Sequence, residues 1–142
     1  MKETIQPLYE QDFYLWLEDT ATKLKTRDFD AIDIDNLIEE IEALGRSEKR
    51  EFKNRLNVLL MHILKRVYVD SIYDNAGWER TIREQRRQIR ELLNQSPSLE
   101  KYFIKVFSQV WQDALSDVKQ DYPKNQFPDE WQFAIEIQCD FD

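Results

Sequence analysis

Glycine is nearly absent from this sequence, and its scarcity limits the folds that the chain can adopt. Only Gly45 and Gly77 occur among 142 residues, with four prolines and a single cysteine. Sandwiches and barrels need a turn about every 8–12 residues, and such turns draw heavily on glycine. The two glycines lie too far apart for a phosphate-binding glycine loop, and one cysteine excludes a disulfide scaffold. The sequence therefore predicts an all-α fold, a compact bundle of about four main helices in a single domain over residues 1–142.

Apolar residues repeat at helical spacing along most of the chain. We predict a first helix over 12–27 and a linker over 28–33. Asp33 is the predicted N-cap of a second helix, because its carboxylate can accept hydrogen bonds from the free amides of the first turn. This helix either stops at Gly45 or continues through 46–69. The apolar phase favours continuity, since glycine inside a helix costs only ~1 kcal/mol against alanine.

Two further helices are predicted after a loop over 70–77. The third helix covers 78–95. Ser96 and Pro97 then place a capping hydroxyl before a proline at the first helical position, which predicts the start of a fourth helix. We expect this helix to end near Asp121.

The tail, residues 123–142, follows another pattern. Apolar residues from Trp131 to Phe141 occupy alternate positions, which is typical of a strand, but a helical bundle offers a single strand no partner. The alternatives are an extended tail across the helices, pairing with a second chain, or a short helix. We predict an irregular or short helical tail that docks its aromatic side chains.

Charge divides the chain into three parts. Residues 1–44 carry four basic and twelve acidic side chains, residues 45–101 carry thirteen and eight, and residues 102–142 carry three and eight. The net charges are −8, +5 and −5 within a total of −8. Such asymmetry indicates that the basic middle part meets either an external polyanion or the chain's own acidic parts.

Five arginines over residues 80–90 form the densest cationic group. Arginine binds carboxylate or phosphate through its planar fork, so a nucleic-acid surface over residues 46–90 is one interpretation. The acidic total weighs against it, and so do interleaved glutamates that can neutralise arginines four residues away in the same helix. We favour internal pairing, in which Arg86 meets Glu40 or a neighbouring carboxylate.

His62 and the acidic cluster Asp33–Glu42 are the remaining candidates for chemistry. His62 is the only histidine, so zinc and haem sites lack further ligands, and we interpret it as a histidine at the margin of a core helix. Carboxylates can hold Mg²⁺, but a solvated helix face explains the acidic cluster equally well. We therefore assign no catalytic, metal or cofactor-binding residue, and the sequence favours a role other than an enzyme's.

The sequence contains no evident targeting signal or membrane span. Its first residues lack the apolar run of a signal peptide, and the apolar stretch Val58–Met61 is far too short to cross a bilayer. Together with the lone cysteine, these features predict a cytoplasmic protein with no membrane partner.

Four spaced blocks resemble a known family. They read Tyr9-x-x-Asp12-Phe13-Tyr14-x-Trp16, Asn36-Leu37-Ile38-Glu39-Glu40-Ile41-Glu42-x-Leu44-Gly45-Arg46, Trp78-x-x-Thr81-Ile82-x-x-Gln85-Arg86-x-x-Ile89 and Ser96-Pro97-Ser98-Leu99. From about Tyr9 to Pro128 the chain is similar to the bacterial domain of unknown function 29 family. The resemblance implies a compact all-helical fold and no particular activity, and the tail after Pro128 departs from the family's usual proline-aromatic ending. The family's recurrent positions correspond here to Glu39, Glu40, Glu42, Gly45, Arg46, His62, Lys65, Trp78, Gln85 and Arg86.

These positions, apart from Gly45, are our candidate structural or interaction residues. We predict a non-catalytic helical interaction module that binds another protein or a second copy of itself. The alternatives are a nucleic-acid-associated protein that uses the basic region 46–90 and, with less support, a metal-assisted enzyme at the acidic cluster.

Overall fold

The computed structural model describes residues 7–131. This part of the chain is helical and contains no strand, which confirms the all-α prediction. The helices are α1 (Leu8–Gln11), α2 (Phe13–Lys25), a 3-10 helix (Phe29–Ala31), α3 (Ile34–Tyr68), α4 (Asn75–Gln95) and α5 (Leu99–Asp121).

Asp33 caps a helix as the sequence predicted, and Asp12, the predicted first residue of a helix, is also a cap. The Asp12 side chain accepts a hydrogen bond from the backbone amide of Leu15 at 3.0 Å, and Asp33 accepts one from the amide of Asn36 at 3.3 Å. Each bond satisfies an amide that has no partner inside the first helical turn.

Helix α2 is terminated by a residue in the left-handed backbone conformation. Arg27 has a φ of 59°, its amide bonds to the carbonyl of Leu24, and the amide of Asp28 bonds to the carbonyl of Lys23 at 2.8 Å. This is the Schellman arrangement, in which the left-handed position is usually glycine.

The second predicted helix does not stop at Gly45. Helix α3 is continuous from Ile34 to Tyr68, as the phase of its apolar residues favoured. Gly45 lies in its interior, and a Cβ placed there would meet no atom within 4 Å.

The predicted starts of the last two helices are wrong by two or three residues. Helix α4 begins at Asn75, because a turn closed by a 2.8 Å bond from the Ser71 hydroxyl to Asp74 leads directly into it. Helix α5 begins at Leu99, since the amide of Leu99 bonds to the carbonyl of Ser96 in a turn that precedes the helix. Both helices end at the predicted residues, 95 and 121.

The chain divides into two compact units, residues 1–46 and 47–142, and α3 passes from one into the other. The prediction of a single domain over 1–142 stays a prediction. The described part of the second unit has an extensive apolar core, in which Phe52 makes an edge contact with Phe103 at 5.9 Å between ring centroids. Its other buried residues include Leu56, Leu59, Leu60, Ile63, Leu64, Ile82, Ile89, Leu92, Phe107, Val110, Trp111, Ala114, Leu115 and Val118.

The first unit has a much smaller core. Trp16 is buried and touches the rings of Tyr9 and Phe13, at 4.9 and 5.9 Å between centroids. Thr20 and Ile32 are the other buried side chains in its described part.

The beginning of the tail is irregular, as predicted, and its described aromatic residues are docked. Phe127 makes an edge contact with Tyr68 at 6.1 Å between ring centroids. Trp131 packs edge-on against Phe107 and Trp111, at 5.5 and 5.3 Å between ring centroids. The Trp111 indole also donates a hydrogen bond to the carbonyl of Asp129 at 3.3 Å. The remainder of the alternating pattern, residues 132–142, lies outside the described residues. Within residues 7–131, no helix has the length and apolar character needed to cross a membrane.

Candidate interaction surface

The first turns of α3 expose a line of large apolar side chains, which we name the isoleucine stripe: Ile34, Ile38, Ile41 and Leu44. Their spacing places them on one face of the helix. Their exposed fractions are 47, 48, 60 and 68%. Single apolar residues on a surface are ordinary, but a contiguous apolar line is typical of an interaction site.

The helix face beside the stripe is covered. Asn36, Leu37, Glu40 and Ala43 are the half-buried residues of this segment. The Tyr9 hydroxyl of α1 donates a hydrogen bond to the Glu40 carboxylate. Helix α1 therefore lies against this side of α3, and the isoleucine stripe remains open.

The apolar phase of the stripe continues along α3 in the second unit, where its environment is different. Phe52, Leu56 and Leu59 share that phase and are completely buried. The sequence predicted one apolar stripe along the helix, whereas the structure divides it into an exposed part and a buried part.

Charged side chains border the stripe on one flank. Asp35, Glu42 and Arg46 are seven and four residues apart, which places them on the same side of the helix. Nη2 of Arg46 lies 2.7 Å from Oε1 of Glu39, and Nη1 lies 4.0 Å from Oε2 of Glu42. The Arg46 side chain is 53% exposed, and exposed pairs of this kind contribute only about 0–1 kcal/mol. Arg46 can therefore bind a further carboxylate at little cost.

Tyr9 belongs to this surface, although our sequence reasoning did not select it. The hydrogen bond to Glu40 is the main cause that raises the pKa of Tyr9, and partial burial and the charges of Glu40, Glu39 and Asp33 raise it further. The phenol therefore keeps its proton and stays a donor at neutral pH. In the sequence, Tyr9 appeared only in the first of the four blocks that resemble a family, and nothing there linked it to Glu40.

The acidic cluster does not gather into a metal site. Glu39 binds Arg46 and Glu40 binds Tyr9. Among residues 7–131, no three His, Cys, Asp or Glu side chains come together as a metal ion requires.

His62 is oriented by the backbone of its own helix. Its Nδ1 lies 2.8 Å from the carbonyl oxygen of Val58, and because a carbonyl can only accept, Nδ1 carries the proton. Burial lowers the pKa of His62, and the positive charge of Lys65 lowers it further, against a smaller opposing effect of the bond to Val58. The ring is therefore neutral at pH 7. Lys65 itself is half-buried in the last turn of α3, where the helix dipole favours a cation.

Three more candidate residues lie in the second unit at separate places. Trp78 is buried in the first turn of α4 and meets the Tyr122 ring at 6.3 Å. Gln85 accepts a hydrogen bond from Arg55 at 3.4 Å, and both residues line an open groove of about 400 Å³. Nε of Arg86 is buried, with no hydrogen-bond partner within the described residues.

Arginines of the basic region pair with glutamates, but the pairing that we favoured, between Arg86 and Glu40 or a neighbouring carboxylate, is not among these pairs. Arg87 binds Glu84 at 2.6 Å and Glu91 at 2.8 Å. The bond from Arg87 is the main cause that lowers the pKa of Glu84, and the same bond raises the pKa of Arg87. Arg66 of α3 binds Glu79 of α4 at 2.7 Å. The carboxylate of Glu40, proposed for Arg86, instead receives the Tyr9 hydroxyl.

The structure thus brings Glu39, Glu42 and Arg46 together, and Glu40 lies on the opposite flank of the stripe. Comparison with protein families then gives one result: a family model described as "Domain of unknown function DUF29" matches residues 8–142. No curated protein and no solved structure matches the chain.

Proposed function

Because the chain belongs to the DUF29 family, whose description states no activity, we propose from its structure that it is a non-catalytic helical interaction module. It binds a partner protein through the isoleucine stripe of α3. The observation that supports this function is the exposure of four large apolar side chains on one helix face.

Burial of the stripe would supply the free energy of binding. Full burial of an Ile or Leu side chain contributes about 1.5–3 kcal/mol. Each side chain of the stripe is about half exposed, so each can still contribute about 1 kcal/mol. Because association itself carries an entropic cost, the stripe supports binding of modest affinity.

Charge defines the chemistry of the partner. Residues 28–45 contain seven acidic side chains and no basic one. This surface repels nucleic acid, whose binding depends on contacts between phosphates and basic residues. The partner surface is therefore apolar, with a basic group at its edge.

The candidate residues have different roles in this proposal. Glu39, Glu42 and Arg46 form the charged edge of the binding surface, and Glu40 holds Tyr9 beside it. His62, Lys65, Trp78, Gln85 and Arg86 stabilise the second unit. We also propose a cytoplasmic location, because a lone cysteine suits a reducing compartment.

Affinity recovery from a native lysate tests the proposed function. We expect the wild type to retain a protein partner, and we expect Ile41→Lys to lose it because a lysine there would be desolvated on binding. Ile104→Lys is the matched control, since Ile104 is 65% exposed on α5 and lies outside the stripe.

Treatment of the lysate with nuclease separates the alternatives. Recovery that survives nuclease and depends on Ile41 supports the proposal. Recovery that nuclease abolishes, or that is equal for all three proteins, contradicts it.

A further inference from the structure

We propose that the partner bound by the isoleucine stripe is a second copy of this chain, whose α3 runs antiparallel along residues 34–46. This inference rests on the proposed function and names its partner. The order of apolar and charged residues along the exposed part of α3 supports it.

The stripe is complementary to itself when one copy is reversed. A two-fold axis beside residues 39–40 places Ile38 against Ile41 of the second copy. The same axis places Ile34 against Leu44 of the second copy. Such an isologous contact closes on itself as a dimer, and it covers the apolar line over its whole length of about 15 Å, at 1.5 Å per residue.

The charged flank favours the antiparallel direction. Asp35 and Arg46 lie on the same side of α3, eleven residues apart. In an antiparallel pair with this axis, Arg46 of each copy lies two residues beyond the position opposite Asp35 of the other, about 3 Å along the helix. The long arginine side chain spans this offset, so two ion pairs form. A parallel pair would instead place the charged flank of each copy beside the opposite flank of the other, where Glu40 lies, so Arg46 would not meet Asp35.

The three glutamates of this segment each have a partner within their own copy. The Glu40 carboxylate is engaged by Tyr9 on the opposite flank of the stripe. Arg46 already neutralises Glu39 at 2.7 Å, and a guanidinium has five donors, which leaves some for Asp35 of the second copy. The interface is short, below the standard size of about 1,600 Å², so we expect a weak dimer that forms with rising concentration.

Sedimentation of the full chain over a range of concentrations tests the inference. We expect a reversible dimer for the wild type. Asp35→Arg alone and Arg46→Glu alone each create two like-charge contacts, so each variant should dimerise roughly tenfold more weakly. Ile104→Lys and Glu100→Arg on α5 are the controls for a change of charge, and both should match the wild type.

Sedimentation of a mixture of the two charge variants is the decisive experiment. In a heterodimer of Asp35→Arg with Arg46→Glu, one pair is the original Arg46–Asp35 and the other is the same pair with its signs exchanged. Both pairs attract, so the mixture should regain the affinity of the wild type. An interface that places residue 35 of one copy beside residue 46 of the other predicts this rescue.

The outcomes separate this inference from the proposed function. A wild-type monomer at all concentrations, or a dimer without rescue in the mixture, overturns the antiparallel pairing. If the lysate partner still depends on Ile41 in either case, the proposed function stands with a different partner. A dimer that persists unchanged in Ile41→Lys overturns the pairing and shows that self-association uses another surface. Circular dichroism of each variant shows whether its helices are intact.

Discussion

The two parts of the apolar face of α3 share one helix and one phase, but they have opposite environments. The part over residues 52–63 is buried in the core of the second unit, with Phe52, Leu56 and Leu59 fully covered. The part over residues 34–44 is about half exposed. An apolar stripe in a sequence therefore indicates that another surface covers the helix. It does not indicate whether that surface belongs to the same molecule.

Substitution of Phe52 should reveal the largest difference in stability between the two parts. Phe52→Ala removes a buried ring that contacts Phe103 and Tyr102 and should lower the free energy of unfolding by about 3–5 kcal/mol. Ile41→Ala should lower it by less than about 1 kcal/mol, because the side chain is already half in water. Urea denaturation at a concentration where the protein is monomeric measures both. Equal losses would contradict the division of the stripe.

Gly45 lies at the junction of the two parts and tests their continuity. Gly45→Ala should raise the free energy of unfolding by about 1 kcal/mol, because the position is helical and the added Cβ meets no atom within 4 Å. Thermal unfolding followed by circular dichroism measures the gain. A loss of stability would mean that α3 is interrupted at this residue.

Arg27 offers a smaller effect confined to the first unit. Arg27→Gly relieves a left-handed conformation, although glycine also gains freedom in the unfolded chain. We therefore expect a gain of less than about 1 kcal/mol. Amide hydrogen exchange should show slower exchange at the end of α2 and no change in α5. Arg27→Ala is the control and should give no gain.

His62 should produce a small effect that is confined to the second unit and depends on pH. Its pKa is lowered in the folded state, so the unfolded chain binds a proton more readily. Stability from this group is present above the unfolded pKa of about 6.5 and is lost as the pH falls below it. His62→Asn keeps a donor for Val58 without the titration. The free energy of unfolding of the wild type, relative to that of the variant, should therefore fall as the pH is lowered from 7.5 to 5.5.

Local sequence signals were sufficient to predict much of the fold. Asp33 marked a helix start because a carboxylate cap acts within one turn. The continuity of α3 followed from the phase of its apolar residues, which Gly45 does not disturb. The start of α4 was missed because Gly77 suggested a loop, whereas the Ser71–Asp74 turn begins the helix earlier.

The candidate surface depended on contacts between distant residues, and sequence patterns predicted less of it. Tyr9 and Glu40 are 31 positions apart, and no periodicity connects them. The exposure of Ile38 and Ile41 depends on which faces the neighbouring helices cover. The order of charges along α3 can be read from the sequence. That these charges lie beside an open apolar face became known only from the structure.

The contact between Trp131 and Trp111 gives the second unit a spectroscopic signal of its own. Two indole rings whose centroids lie 5.3 Å apart at an angle of 75° couple their electronic transitions, which gives a paired signal in circular dichroism. Trp131→Phe should remove that signal while leaving the helical spectrum unchanged. The chain thus contains an optical reporter for the docking of the segment after α5, independent of what happens at the first turns of α3.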